Sequence, residues 1–439
     1  MSFFSNVASR EHRAFEYFLS STAPGLAGYF SREVYLTRVP KLSLSEVPLW
    51  HIVVALSSVH EGYAHSIQNS NRDAQLAQYA FGLKHYSLAV KSLTETISSQ
   101  PGNLELVLLC CMLFVCFDCL RGNYTAASTH LTSGLNILCS EKDAGKLSPS
   151  YAKIIEQFTC LGLSVGIFID IHLPETNTFS IWSQFSNLGS VRDNSTFKTL
   201  DDARHSLNMI TINFMLHYTM SQKTDDLLGY KAILGPSTST TRAALTAWTR
   251  NFDAMILLND PANLSSSALR GSLQMKHHHA SLLAIVNGIS PVEGDDPNAP
   301  YRTIVTLARS LINVAPAPRA SLSTDLGLVS SLFIAVSRCR VPALQREAFE
   351  LLSAVPRREG LWDAEIAARI ASEVLQVEKR DDERVAGERG LDMNLDELRV
   401  QKGEEHFGEM ESELKVDLDF ERTYRGTGRR ERFIKISFI

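Results

Sequence analysis

Apolar residues along this chain recur at intervals of three and four, the spacing that lines one face of an α-helix. Phe15, Phe18 and Leu19 mark an amphipathic stretch over 10–20, which Ala23-Pro24-Gly25 is expected to break. Ile52, Val53, Leu56 and Val59 mark a second over 49–64. Tyr79, Leu83, Tyr86, Val90, Leu93 and Ile97 mark a third over 75–99, closed by Pro101-Gly102-Asn103. Segment 104–120 is apolar on every face, which predicts a helix buried on all sides. Arg121-Gly122-Asn123 reads as a turn into a run over 124–138 carrying Ala127, Leu131, Leu135 and Leu138, so the two runs make a helical hairpin. Helical runs follow at 151–171, 199–221, 240–258, 263–288, 300–314, 326–338, 342–354 and 362–378, while 174–197 and 290–299 read as loops. Period-two alternation is rare. Its exception, Arg432–Phe438 with Phe433, Ile434, Ile436 and Phe438, predicts a short strand.

The expected fold is therefore all-α: a large array of packed helical hairpins over 1–377 with a charged C-terminal appendix. No strict internal repeat interrupts this reading; 122–138 resembles one tetratricopeptide-type hairpin, but a single instance is not an array. With 439 residues, 44% hydrophobic and 21% charged, the composition is that of a globular protein, not a disordered, collagen-like or disulfide-framework chain. The formal net charge of −5 is unevenly spread. Segment 378–421, an acidic linker or charged helix, holds 16 acidic and 7 basic residues; the tail 422–439 holds 6 basic and 1 acidic. The body is thus nearly neutral and carries no broad phosphate-seeking field. The basic tail is the candidate phosphate-contact or nuclear-import patch. Seven cysteines and no leader-like N-terminus predict reduced thiols in the nucleus or cytoplasm. The longest apolar run, Leu104–Phe117, is too short for a membrane span, so no membrane association is expected.

Motifs with chemistry are few. Cys110, Cys111, Cys116 and Cys119 include a CxxC, but they lie inside an apolar helix without a metal-binding loop and read as core cysteines. His277, His278 and His279 are adjacent, so a helix points them about 100° apart and they cannot chelate one ion. No phosphate-binding glycine loop, dinucleotide fingerprint or nucleophile elbow occurs. The aspartate pairs at 201–202, 225–226, 295–296 and 381–382 lack the third aspartate of a diphosphate–magnesium motif. Three ionisable residues interrupt apolar runs: Asp118, within reach of Arg121; Asp170, after Gly162–Ile169; and Lys276, on a stripe with Leu269, Leu273, Ala280 and Leu283. A lysine on such a face is costly unless it is paired or faces a cavity.

Several blocks resemble the helical regulatory "fungal-specific transcription factor" domain that follows the binuclear zinc cluster in many ascomycete regulators. They are Glu11–Phe15 with Tyr17-Phe18, Trp50–Glu61, His85–Ala89, Leu106–His130, Phe197–Leu207, Ala244–Phe252, Leu326–Leu352 and Arg357–Ala364. Together they span about 10–378. The family's zinc ligands have no counterpart, since the first cysteine is Cys110. The resemblance therefore implies a regulator of a filamentous fungus, pathway-specific and nuclear, acting without its own zinc-cluster DNA reader and without sequence-specific DNA binding. Its implied partners are proteins, in a homodimer or in a heterodimer with related regulators; no cofactor and no structural zinc cluster are implied. One alternative is an enzyme of fungal secondary metabolism recruited from this domain, a Mg²⁺-dependent cyclase of isoprenoid diphosphates. It would use Lys276 as anion anchor and Asp118 and Asp170 as carboxylates, and it requires these three to converge on one cavity. The other alternative is a non-catalytic scaffold.

Overall fold

Helix α1 (Ser9–Tyr17) does not stop at Ala23-Pro24-Gly25, contrary to the sequence expectation. It passes through a π-helical turn, Phe18–Thr22, into α2 (Ala23–Ala27). The Ala23 N–H bonds the Phe18 carbonyl five residues back, and Pro24 occupies the first turn of α2, where its missing N–H costs least. Gly25 serves close approach instead of a break: a Cβ there would lie 2.7 Å from the Leu322 carbonyl oxygen. The helix ends only at Gly28, at φ 48°. A second π turn, Val34–Arg38, leads into α3 (Val39–Ser43). The computed structural model describes residues 9–68, 72–99, 102–172, 178–189, 196–223, 227–258, 265–314, 321–354, 356–388, 414–423 and 430–438.

The body is an all-α assembly of consecutive helices: α4 (Val47–Gln68), α5 (Arg72–Ser99), α6 (Leu104–Leu120), α7 (Tyr124–Asp143), α8 (Ala152–His172), α9 (Phe179–Leu188), α10 (Leu200–Ser221), α11 (Leu227–Leu258), α12 (Ser266–Ile289), α13 (Ala299–Val314), α14 (Leu328–Arg338), α15 (Pro342–Ala354) and α16 (Ala364–Glu388). Neighbours in sequence pack as hairpins, α4 on α5, α6 on α7, α10 on α11, α12 on α13 and α14 on α15. Asn103 and Asn123 start the α6–α7 hairpin, each side chain accepting the N–H three residues on, from Leu106 and Ala126. Helix α6 is the central helix that its all-round apolarity predicts, buried from Leu108 to Leu120. Asp202 closes a capping box with Thr199 at the start of α10.

Helix α9 lies within 174–197, where the sequence reading placed a loop. Its Ile181, Trp182 and Phe185 are buried. Gly162 and Gly166 on α8 make room for them: a Cβ at Gly162 would enter the Phe185 ring, and one at Gly166 would come within 2.5 Å of Trp182. Helix α8 is apolar and long enough to cross a membrane, but 67% of that window is buried among its neighbours. A core helix meets the same criterion.

A three-stranded sheet of minimal size packs against α2, α14 and α16. β1 (Ser321–Ser323) pairs parallel with β2 (Arg357–Glu359), which pairs antiparallel with β3 (Trp362–Asp363). The Glu359 carboxylate is buried and accepts the N–H groups of Leu328 and Val329 at 3.0 and 2.9 Å, capping α14, while Arg357 pairs with it at 2.8 Å. The expected C-terminal strand appears as β5 (Arg430–Phe438), antiparallel to β4 (Leu414–Thr423). The last ten or so residues ascribed to an acidic linker or charged helix thus include a strand, and α16 runs past 378; the intervening 389–413 lie outside the described residues.

Removing the α14 cap is expected to be costly, because it orphans two buried N–H groups and leaves Arg357 without its counter-charge. Glu359→Ala should lower stability by about 3 kcal/mol. In urea the transition midpoint should fall with an unchanged slope; a midpoint at the wild-type value would refute the assignment.

Candidate functional site

The three ionisable residues singled out in the sequence occupy three separate environments. Asp118, on α6, is fully buried. Arg121 donates to its Oδ1 at 3.3 Å, the Tyr86 hydroxyl donates to Oδ2 at 3.4 Å, and His130 Nε2 lies 3.7 Å from Oδ2. Burial pushes its carboxyl up to about 6, against the pull of Arg121 and the Tyr86 hydrogen bond. Asp170 stands about one turn beyond Gly166 and two beyond Gly162, on the same face of α8. It accepts hydrogen bonds from the Thr178 hydroxyl and from Trp182 Nε1, the latter at 2.9 Å, and so fastens α9. Burial raises this carboxyl to about 7, opposed by those two bonds.

Lys276 is half-exposed on α12. It pairs with the half-exposed Asp253 at 3.0 Å and lies 5.5 Å from the Phe252 ring. No hydrogen bond or ion pair described links Lys276, Asp118 and Asp170, and none of them lines the cavity described below.

The cysteines of α6 are buried, and burial raises their thiols, Cys111 to about 11 and Cys116 to about 12. Each histidine of the triplet looks elsewhere. His278 bonds the Thr211 hydroxyl at 3.2 Å, and His279 bonds the Leu245 carbonyl at 3.1 Å. His277 is buried, and burial lowers it to about 3. Among the described residues no three His, Cys, Asp or Glu side chains gather as a metal centre.

The strongest convergence of polar groups in the core lies elsewhere. Arg204, on α10, is buried; it donates to Asp325 at 2.9 Å and to Cys160, and its guanidinium stacks 4.3 Å from the Phe30 ring. Burial lifts the Cys160 thiol to about 12 despite that cation. A cavity of about 30 Å³ opens beside them, lined on its polar side by Arg204, Asn208, Gln274, His278 and Asp325. That is room for about two water molecules. The sequence reading missed this centre. Its trace was available as Arg204, Asn208 and Thr211, polar residues at helical spacing on the buried face of α10.

The Asp170 latch has a pH signature. The folded carboxyl sits at about 7 and an unfolded one at about 4, so between these values the folded state binds the extra proton. Its contribution is complete below about 4 and declines as pH rises through about 7. Asp170→Asn should therefore show a smaller loss of melting temperature from pH 5 to pH 8 than the wild type. Parallel melting curves across that range would remove Asp170 as the titrating group.

Comparison with known proteins agrees with the resemblance read in the sequence. Residues 13–156 match the family model of the fungal specific transcription factor domain. That span runs from α1 to the start of α8. A transcription regulator of Purpureocillium lilacinum, lscL, is 31% identical over 123 residues, a match covering 26% of this chain and 29% of that relative. The aligned part thus spans less than a third of the relative's length. No solved structure matches.

Proposed function

We propose that this chain is a transcription regulator that works in the nucleus through protein contacts of its helical body, and that it governs a confined set of genes. The observation that carries this reading is the family match over 13–156, which falls on the helices that build the core of the N-terminal half. The charge distribution supports regulation by protein contact over direct reading of DNA. The body is nearly neutral overall, and the tail 422–439 carries six basic residues to one acidic. Binding of these residues to duplex DNA should therefore be weak, indifferent to sequence and rapidly lost with salt.

The separation of Asp118, Asp170 and Lys276 weighs against the cyclase alternative, which needs them around one substrate. Lys276 is satisfied by Asp253 at the surface, where such a pair is worth about 0–1 kcal/mol. A thermal melt with an isoprenoid diphosphate and Mg²⁺ should show no shift that Lys276→Ala abolishes. Such a Lys276-dependent shift would place the cyclase ahead of the regulator.

The regulator reading is tested by fusing the full chain to an unrelated DNA-binding domain and measuring a reporter that carries the matching site. Reporter output should change in either direction, and deletion of the gene should alter a limited set of transcripts. A silent fusion together with an unchanged transcriptome would overturn the proposal.

A further inference from the structure

We propose that the cavity beside Arg204 binds a small neutral amide, its carbonyl oxygen on Arg204 and its N–H groups on the side-chain oxygens of Asn208 and Gln274. Stretches far apart in sequence meet there: Phe30 after α2, Cys160 on α8, Arg204 and Asn208 on α10, Gln274 on α12 and Asp325 after β1. Arg204 is only 8% exposed. A guanidinium so deeply buried has five N–H donors to satisfy. Both hydrogen bonds described for it, to Asp325 Oδ1 and to Cys160, leave from Nη2. Its Nη1 and Nε donors have no partner among the described residues. The acceptors are in the same position. Asn208 donates from Nδ2 to Cys160 Sγ at 3.9 Å, and Gln274 from Nε2 to the Leu326 carbonyl at 3.5 Å. Both contacts are long, and both carboxamide oxygens have no partner among the described residues.

Size, charge and shape select the ligand. A second cavity, of about 10 Å³, shares Arg204 and Asn208 with the first. Its other walls, Glu156, Thr159, Asp201 and His205, are half-buried, so this is the side that faces solvent. The two volumes together hold a group of about three heavy atoms. Asp325 already neutralises Arg204 at 2.9 Å. A bound anion would therefore be buried without a counter-charge. It would also pass a rim where Glu156 and Asp201 stand against the single Lys153 that pairs with both. A bound cation would face the guanidinium. A neutral ligand meets neither obstacle. Guanidinium N–H groups point along the plane of the group, and Phe30 is stacked 4.3 Å from it. The unused donors are thus reached edge-on, which suits a planar carbonyl compound. An amide supplies the carbonyl oxygen for Arg204 and, on its nitrogen, the N–H groups that Asn208 and Gln274 lack. A substituent on the amide would leave through the outer cavity, so the carboxamide end of a larger molecule fits as well. Such a ligand would bind whether or not the chain regulates transcription.

Formamide, formate and formamidinium test the site. They are planar probes of one size that differ in charge, and each carries a C–H proton that reports binding in saturation-transfer NMR of the full chain. Formamide should bind in the millimolar range, since three heavy atoms limit the dissociation constant to about 0.5 mM or weaker. Formate and formamidinium should bind at least about tenfold more weakly, the former for want of a counter-charge and the latter facing a cation. N,N-dimethylformamide, which keeps the carbonyl and lacks the N–H groups, should also lose binding. Asn208→Leu and Gln274→Met each replace a carboxamide by an apolar chain of similar size. Each should weaken formamide about tenfold, the loss of one hydrogen bond. Gln274 is half-buried and tolerates the change best; thermal melts would verify that both variants fold. No transfer from formamide at about 50 mM, a hundred times the limiting constant, would overturn the proposal and leave the cavity to water. Equal binding of the three probes, or formamide binding that neither substitution weakens, would overturn it too.

Discussion

Seven residues, Arg357–Asp363, hold the ends of three helices: α6, far back in the chain, α14, and α16, which starts at the next residue. Every helix leaves unpaired N–H groups at its start and unpaired carbonyls at its end. Here one tight turn supplies partners of the right sign for each. Arg358 donates to the carbonyls of Cys119 and Leu120 at the end of α6. Glu359 accepts the first N–H groups of α14. Asp363 accepts the N–H groups of Glu365 and Ile366, at 2.9 and 3.2 Å, at the start of α16, and also pairs with Arg358 at 2.6 Å. A cation at a helix end and anions at two helix starts are the arrangement that helix dipoles favour. Gly360 makes the turn possible. It sits at φ 59°, and a Cβ there would strike Ser164 of α8, whose hydroxyl donates to the Glu359 carbonyl at 3.0 Å. The charged pairs are buried, so their worth lies in completeness: each group is satisfied only while the others stay in place.

Most of the helical framework was legible because amphipathic periodicity is a local signal and these helices are long. What escaped was set by contacts between distant residues. Helix α9 is short, and its flanks are polar. Its helical state is decided by Gly162, Gly166 and Asp170 on α8, which no window around 179–188 contains. Pro24-Gly25 carries a punctuation signal, and the signal is real, but its meaning is a close crossing with Leu322 instead of a chain break. The strands β1–β3 are two or three residues each and have no period to read.

The ionisable residues show the same division. An apolar run interrupted by a charge tells where burial will strain a group, and Asp118 and Asp170 are indeed the carboxyls that burial raises. It cannot tell which partner relieves the strain. Arg121, three residues from Asp118, was within a helical reading; Tyr86 and His130 were not. Lys276 shows the same limit: on that stripe it had to be paired or face a cavity, and the sequence could not say which. Leu269 and Leu273 make its stripe look interior, yet Leu269 is itself exposed, and the lysine looks out to Asp253. Arg204 went unnoticed because an arginine in a polar-looking hexad such as Leu200–His205 attracts no attention until Asp325 and Cys160 are known to face it.

These long-range ties decide what the N-terminal helices can do alone. The segment through residue 156 carries the family pattern, but its closing contacts come from beyond it. Arg358 satisfies the end of α6. The Thr324 hydroxyl donates to the Leu26 carbonyl at 3.4 Å, and the Leu322 backbone fills the gap that Gly25 leaves. Arg204 stacks on Phe30 while held by Asp325, so the irregular N-terminal turns, α10 and the β1 strand end meet at a single buried charge pair. Cutting the chain after α7 would expose the carbonyls of α6 and the apolar faces that α8 and α9 cover. The family pattern is therefore part of a larger body whose N-terminal helices are closed by its C-terminal third: Arg358 holds the end of α6, and α6 in turn holds α5 through the Tyr86–Asp118 contact, some 270 positions before that arginine.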